Sequence, residues 1–344
     1  RTDNRWNIKD FVNWITSDDP STRTSRGAGE YKQDFYYYPT NKLRIPVNKE
    51  NVLKSGIVKP EDADKIVDYI DITLPGAIDK ARIVMLDILA NNDWKRPIYF
   101  TGGSMDSAEY LWMKDYLQLD GLVYKLVPIK TPIDKNNPYD MGRIDSELMY
   151  NIVKQWTWGN MGKEGIYLDP ETRKNSIIFR GNLARLTEQL IAEGKTAKAS
   201  EIIDIAMKNM PIDAYGYYFT LDPFIQGSYK VGKKEQARAI ALQVIKKYQE
   251  ELNYYTHLPA GELNSNAKRI QYCIDRYGEV VMLGETLDKE FYPAQWAIFK
   301  DKAGLFMGEK ELEEYFKGAA SQAALDSLRN TLLDTTATSD STEE

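Results

Sequence analysis

The sequence predicts an α/β domain followed by an all-helical domain of tetratricopeptide-like repeats. Three observations predict it. Residues 94–131 read as strand, glycine turn, helix and second strand, a compact βαβ crossover with a parallel pair. From residue 169 onward every periodic segment is helical. Within that part a glycine-centred pattern occurs twice, at Gly194 and at Gly232. The expected division is residues 1–165 for the α/β domain, 166–333 for the helical repeats and 334–344 for a disordered tail.

A chain of 344 residues, 42% apolar and 28% charged, suits two ordinary globular domains, each with its own core. A net charge of −6 argues against a nucleic-acid surface, which needs clustered positive charge. One cysteine, Cys273, excludes an internal disulfide and a cysteine-based zinc site, and one histidine, His257, excludes a histidine-rich metal site. No apolar run approaches the roughly 20 residues of a membrane helix. The chain starts at Arg1 without a methionine, so we expect it to be cut from a longer protein.

Taken in order, Trp6, Phe11 and Trp14 are spaced to line one face of a short helix, and a polar loop follows. Residues 35–38 form a dense aromatic run closed by Pro39. Adjacent tyrosines suit a sugar-stacking platform, because their rings bury a face and keep a polar edge; packing of an edge strand is the favoured reading. Residues 43–47 alternate like a strand, and Pro60 opens a turn with acids where a helix dipole favours them. Ile66, Tyr69, Ile70 and Ile72 fit a strand or a short helix equally. Residues 77–91 form a broadly apolar helix, expected to be buried over the βαβ unit. In that unit, Ser104 or Asp106 caps a helix carrying Leu111, Trp112, Tyr116 and Leu117, Asp120-Gly121 ends it, and 122–129 is the second strand. Residues 144–156 resume a helical pattern, and the glycine-rich stretch 157–165 marks the boundary.

The repeat lies in the second part. GKTAKASEIIDIAMK from Gly194 is echoed 38 residues later by GKKEQARAIALQVIK from Gly232. In both, one helix ends at glycine and the next starts at once, with alanine at 199 and 237 letting two helices approach. The offset exceeds the usual spacing of about 34, so 212–220 carries an insertion. Two copies cannot bury a solenoid core alone, and helices over 144–156 and 266–287 should cap the stack. Glycines 278, 284, 304 and 308 are expected at helix ends. Tyr215, Tyr217, Tyr218 and Phe219 fall in the insertion, where they offer a binding surface beside the repeat groove. The residue patterns single out no catalytic group, no metal ligand and no cofactor site.

WKRPIYFTGG at 94–103 and DYLQLDGLVYKLVPIKT at 115–131 resemble the C-terminal soluble region of a large bacterial family of multi-pass membrane proteins, long labelled a domain of unknown function. Ser17-Asp-Asp-Pro, Tyr38-Pro-Thr-Asn-Lys and Leu86-Asp-Ile-Leu-Ala also look like its pattern, and the likeness covers residues 10–130. The membrane part of that family resembles glycosyltransferases of the GT-C type, which take sugar from a polyprenyl-phosphate carrier. A eukaryotic relative is a protein O-mannosyltransferase with a similar helical-repeat tail. The resemblance implies an extracytoplasmic, non-catalytic module that presents acceptor protein to the membrane portion of its parent, where the catalytic carboxylate resides. The alternative is a free-standing scaffold of tetratricopeptide type, unrelated to sugar transfer. Apolar segments encoded upstream of Arg1 discriminate the two.

Overall fold

The computed structural model describes residues 4–27, 29–102, 106–133 and 141–317. The chain divides into two compact units, Arg1–Met149 and Tyr150–Glu344. The first carries small sheets and the second is helical, the α/β-then-all-α layout expected. The glycine-rich stretch 157–165 lies within the second unit, and the expected disordered tail lies outside the described residues.

In the first unit, β1 (Trp6–Asn7) pairs in parallel with β4 (Lys42–Pro46), which pairs antiparallel with β5 (Tyr69–Thr73). Alternation puts Leu43, Ile45, Ile70 and Ile72 on one face, where they are buried. Helix α1 (Ile8–Thr16) is capped by the Asn7 side chain and buries Ile8, Phe11, Val12 and Ile15. Each such side chain contributes about 1.5–3 kcal/mol by leaving water. The tryptophans do not share that face: Phe11 is in the core, while Trp6 and Trp14 are half-exposed and meet each other at 5.6 Å. β2 (Arg23–Arg26) and β3 (Gln33–Tyr36) form a separate two-stranded ribbon. The aromatic run is thus divided: Tyr38 is buried against Phe11, whereas Phe35, Tyr36 and Tyr37 stay 39–52% exposed.

Helix α2 (Lys49–Lys54) and a 3-10 segment (Pro60–Lys65) precede β5, and α3 (Lys80–Asn92) follows it. α3 packs on α1, but it is not buried throughout: Leu86, Leu89 and Ala90 face inward, and Val84 and Ile88 are exposed.

The βαβ crossover is not formed. β6 (Tyr99–Thr101) pairs antiparallel with β8 (Val123–Leu126), as does β7 (Leu117–Asp120), in the order β6-β8-β7. The segment expected to be a helix is two 3-10 turns, Ser107–Tyr110 and Lys114–Tyr116. Leu111 (φ +53°) and Trp112 (φ +63°) are left-handed, which no α-helix continues through. Asp120-Gly121 ends no helix: Gly121 (φ +74°) turns a two-residue hairpin between alternating apolar strands. Of the two capping candidates, Ser104 lies outside the described residues, and Asp106 accepts from the Ala108 N–H at 2.8 Å.

Arg143 extends this sheet beside β7 and reaches Asp62 at 2.7 Å; Lys65 donates to the same carboxylate at 2.6 Å. Burial pushes the Asp62 pKa up, but the two cations outweigh it and hold the carboxyl at about 2, below its ordinary 3.8.

Helix α4 (Ser146–Lys154) spans the junction of the two units. In the second unit, α5 (Pro170–Ala192) and α6 (Thr196–Asn209) form the first helical hairpin. After α7 (Ile212–Tyr215) and a 3-10 turn, α8 (Asp222–Lys230) and α9 (Lys234–Tyr255) form the second. The turns at Gly194 and Gly232 take φ +74° and +80°, which glycine adopts without strain. Gly227 in α8 lies so close to α5 and α6 that an added Cβ would sit 3.2 Å from Thr187 and Ile203 side chains. Beyond α10 (Ala260–Ser265), α11 (Ala267–Leu287) is no cap. It packs on α9 and forms a third hairpin with α12 (Tyr292–Ala303), followed by α13 (Glu309–Lys317). Gly278 and Gly284 are inside α11, where added Cβ atoms would meet Phe316 and Tyr292; they do not end helices.

Ala199 and Ala206 are both fully buried at the α5–α6 contact. Ala199→Leu should destabilise the helical unit by about 1–3 kcal/mol through overpacking, and an unchanged thermal melt would contradict the packing described. The Asp62 contribution is full above its unfolded pKa of 3.8 and disappears as pH falls through 3.8 toward about 2. The stability gap between the parent chain and Asp62→Asn, measured by denaturant unfolding, should therefore shrink by about 2 kcal/mol on acidification. A gap independent of pH would refute the ion-pair account.

Candidate functional site

The insertion between the first two hairpins carries the residues singled out from sequence. Tyr215 ends α7 and is 1% exposed; its hydroxyl donates to the Met161 carbonyl at 3.2 Å. Gly216 (φ +68°) and Tyr217 (φ +48°) then reverse the chain through left-handed backbone. A non-glycine residue there costs about 1–2 kcal/mol, so surrounding contacts must hold it. Tyr217, Tyr218 and Phe219 are half-buried. Tyr217 meets Phe219 edge-on at 6.4 Å, and Tyr218 meets Tyr248 at 5.9 Å. The structure thus keeps three of the four rings partly open and buries the fourth.

The holding contact comes from Arg180. Its place in the α5 pattern, among Ser176, Leu183, Ala184 and Thr187 on the inward stripe, was the signal that sequence reading missed. It is fully buried, and its guanidinium donates to Gly216 O (2.6 Å), Met210 O (2.8 Å) and Thr220 Oγ1 (3.3 Å). Among the described residues it has no carboxylate partner, and its Nε is unpartnered. Burial lowers its pKa to about 10, so it stays protonated at neutral pH. Tyr215 lies beneath it at 5.9 Å and also walls an apolar cavity of about 300 Å³ with Met161, Ile166, Leu168 and Phe179.

Several buried or clustered titratable groups are engaged by neighbours rather than poised for chemistry. Asp288 accepts from Arg238 at 2.6 and 3.0 Å, and this pairing holds its carboxyl well below the usual range. In the first unit, Asp120 and Lys125 form a buried pair at 3.1 Å, completed by Gln118 at 2.8 Å. Burial pushes the Cys273 thiol up, away from nucleophilic character. His257 Nδ1 lies 2.8 Å from Asn253 O at the end of α9. No group of three or more potential metal ligands occurs among the described residues.

A second opening lies in the first unit. Asp10, Asn13 and Trp14 recur along the outer face of α1 and, with Trp6 of β1 and Ser17, Asp19, Ser21 and Thr22 after the helix, line an open cleft of about 490 Å³. The spacing of Asp10 and Trp14 on the side opposite Ile8, Phe11 and Ile15, with Trp6 just before the helix, was the available signal.

The fold and these two openings define a two-part protein, a small-sheet α/β unit and a stack of helical hairpins, each with an opening lined in part by aromatic rings. Residues 1–148 match the model of the family described as TMEM260-associated domain 2. That match stops one residue short of the end of the first compact unit, Met149. No curated protein and no solved structure matches the chain.

Arg180→Ala should destabilise the helical unit by about 3 kcal/mol, since one buried and two part-buried acceptors lose a charged donor. Amide exchange over 211–220 should accelerate more than exchange in α9. Uniform acceleration, or none, would count against the clamp.

Proposed function

We propose that the chain is a non-catalytic, acceptor-presenting module of a membrane-bound protein O-glycosyltransferase that draws sugar from a polyprenyl-phosphate carrier. In this reading it works on the extracytoplasmic face, attached to the membrane portion of its parent. No helix among the described residues is long and apolar enough to cross a membrane. The membrane-family resemblance over residues 10–130 and the family-model match over residues 1–148 fall on the same unit and support the association.

The observation that carries the reading is the clamped aromatic segment. Tyr217, Tyr218 and Phe219 present large ring area on backbone already fixed by Arg180, so an extended acceptor peptide meets a surface with little entropy left to lose. The buried carboxylates Asp62, Asp120 and Asp288 are occupied in ion pairs. The helical hairpins alone would equally suit a free-standing scaffold, the second reading.

The test is glycosylation of acceptor proteins by the full-length parent carrying Tyr217→Ala and Tyr218→Ala. Loss of about tenfold, the equivalent of ~1.4 kcal/mol of acceptor binding, is expected. Unchanged glycosylation by a folded variant removes the segment from acceptor binding. Sugar transfer by this chain alone would overturn the non-catalytic reading.

A further inference from the structure

The cleft on the outer face of α1 has a chemistry of its own. Trp14 donates its indole N–H to the Tyr37 carbonyl at 2.8 Å, which fixes the ring. Trp6 packs edge-on against Trp14 at 5.6 Å and 71°, and Tyr37 also packs edge-on against Trp14, at 5.8 Å and 79°. Tyr37 is itself anchored, its hydroxyl donating to Ser21 O at 3.0 Å. Three aromatic rings therefore form a rigid, half-exposed corner that needs no rearrangement to receive a ligand.

Polar groups surround that corner and are free. Among the described residues, the Trp6 indole N–H, the Asp10 carboxylate and the Asn13 amide have no hydrogen-bond partner. Asp19 uses one oxygen to accept the Ser21 N–H at 2.9 Å, and this holds its carboxyl low and ionised. The lining contains two carboxylates and no basic side chain, which disfavours an anionic ligand. A wholly apolar ligand would leave these donors and acceptors desolvated and unpaired.

We propose that this cleft binds a neutral hexopyranoside, a single ring of a glycan. The apolar C–H face of the pyranose lies on the Trp6–Trp14 corner, and its hydroxyls donate to Asp10 and Asp19 and accept from Asn13 and the Trp6 N–H. The rings supply contact area and the flanking carboxylates fix orientation, the usual division of labour in a small-ligand site. The inference stands apart from the acceptor role proposed above, which concerns the other unit.

The experiment is a titration of the whole chain with the methyl glycosides of glucose, galactose and mannose, following the indole N–H signals of its seven tryptophans by NMR. Saturable shifts confined to Trp6 and Trp14 are expected, with no shift from sialic acid at equal concentration. Asp10→Ala removes an exposed side chain without a partner, so it leaves the fold intact and should weaken binding about tenfold. Trp14→Ala should abolish it, and if that variant fails to fold, Asp10→Ala decides. Absence of any indole shift up to about 10 mM, beyond the weak end of ordinary affinities, overturns the proposal. So does equal binding of sialic acid, or full affinity in Asp10→Ala. These outcomes leave the glycosylation assay on the parent unaffected.

Discussion

Arg180 sits fully buried in α5 and spends its donors on two backbone carbonyls and a hydroxyl of the segment between the first two hairpins. A cation taken from water with only neutral acceptors is costly, and burial accordingly lowers its pKa to about 10. Its retention as a charged group constrains everything near it. The Met210, Gly216 and Thr220 acceptors must stay converged, and that convergence forces the left-handed turn at Tyr217. The insertion is therefore a shaped element of the stack.

Two further arginines tie neighbouring hairpins by a different device. Arg238 in α9 grips Asp288 in the turn between α11 and α12, and Arg276 in α11 pairs with Asp222 in the first turn of α8. Both carboxylates belong to another hairpin than their arginine, so each pair fixes one hairpin relative to the next. Arg238 and Asp288 meet through two parallel hydrogen bonds, which add geometric specificity to attraction. Packing at small residues such as Ala199 and Gly227 brings the helices close; the ion pairs set how one hairpin follows another.

This division explains what could be read from the sequence. The first two hairpins were legible because Gly194 and Gly232 make the same left-handed turn with the same small residue five positions on. The third hairpin was not, because its turn carries Asp288 (φ −152°, ψ 79°) in place of a left-handed glycine, held by side-chain bonds from a distant helix. Asp120-Gly121 carried a hairpin signal that was outweighed by the helical spacing of Leu111, Trp112 and Tyr116. Pairing of β7 with β8 prevailed, since it buries Leu117, Leu119 and Leu126 together. The βαβ reading failed on that tertiary preference. Arg180 was missed because a long charged residue on an apolar stripe is ordinarily an exposed one, and only its partners, 30 to 40 positions away, reveal otherwise.

The outer face of α1 makes a different point about surfaces. Folding requires Ile8, Phe11, Val12 and Ile15 on the inner face, and they are the buried residues of the helix. Nothing in that requirement calls for indole rings opposite. A single exposed aromatic would be unremarkable, since much of any protein surface is apolar. Here two tryptophans and a tyrosine converge, and the carbonyl contact that fixes Trp14 orients its ring without burying it. A polar residue at position 6 or 14 would serve solubility as well and would expose less apolar area to water. The placement of the pair is therefore unaccounted for by the core, and the free carboxylate and amide beside it match a ligand with one apolar face and a hydroxylated rim.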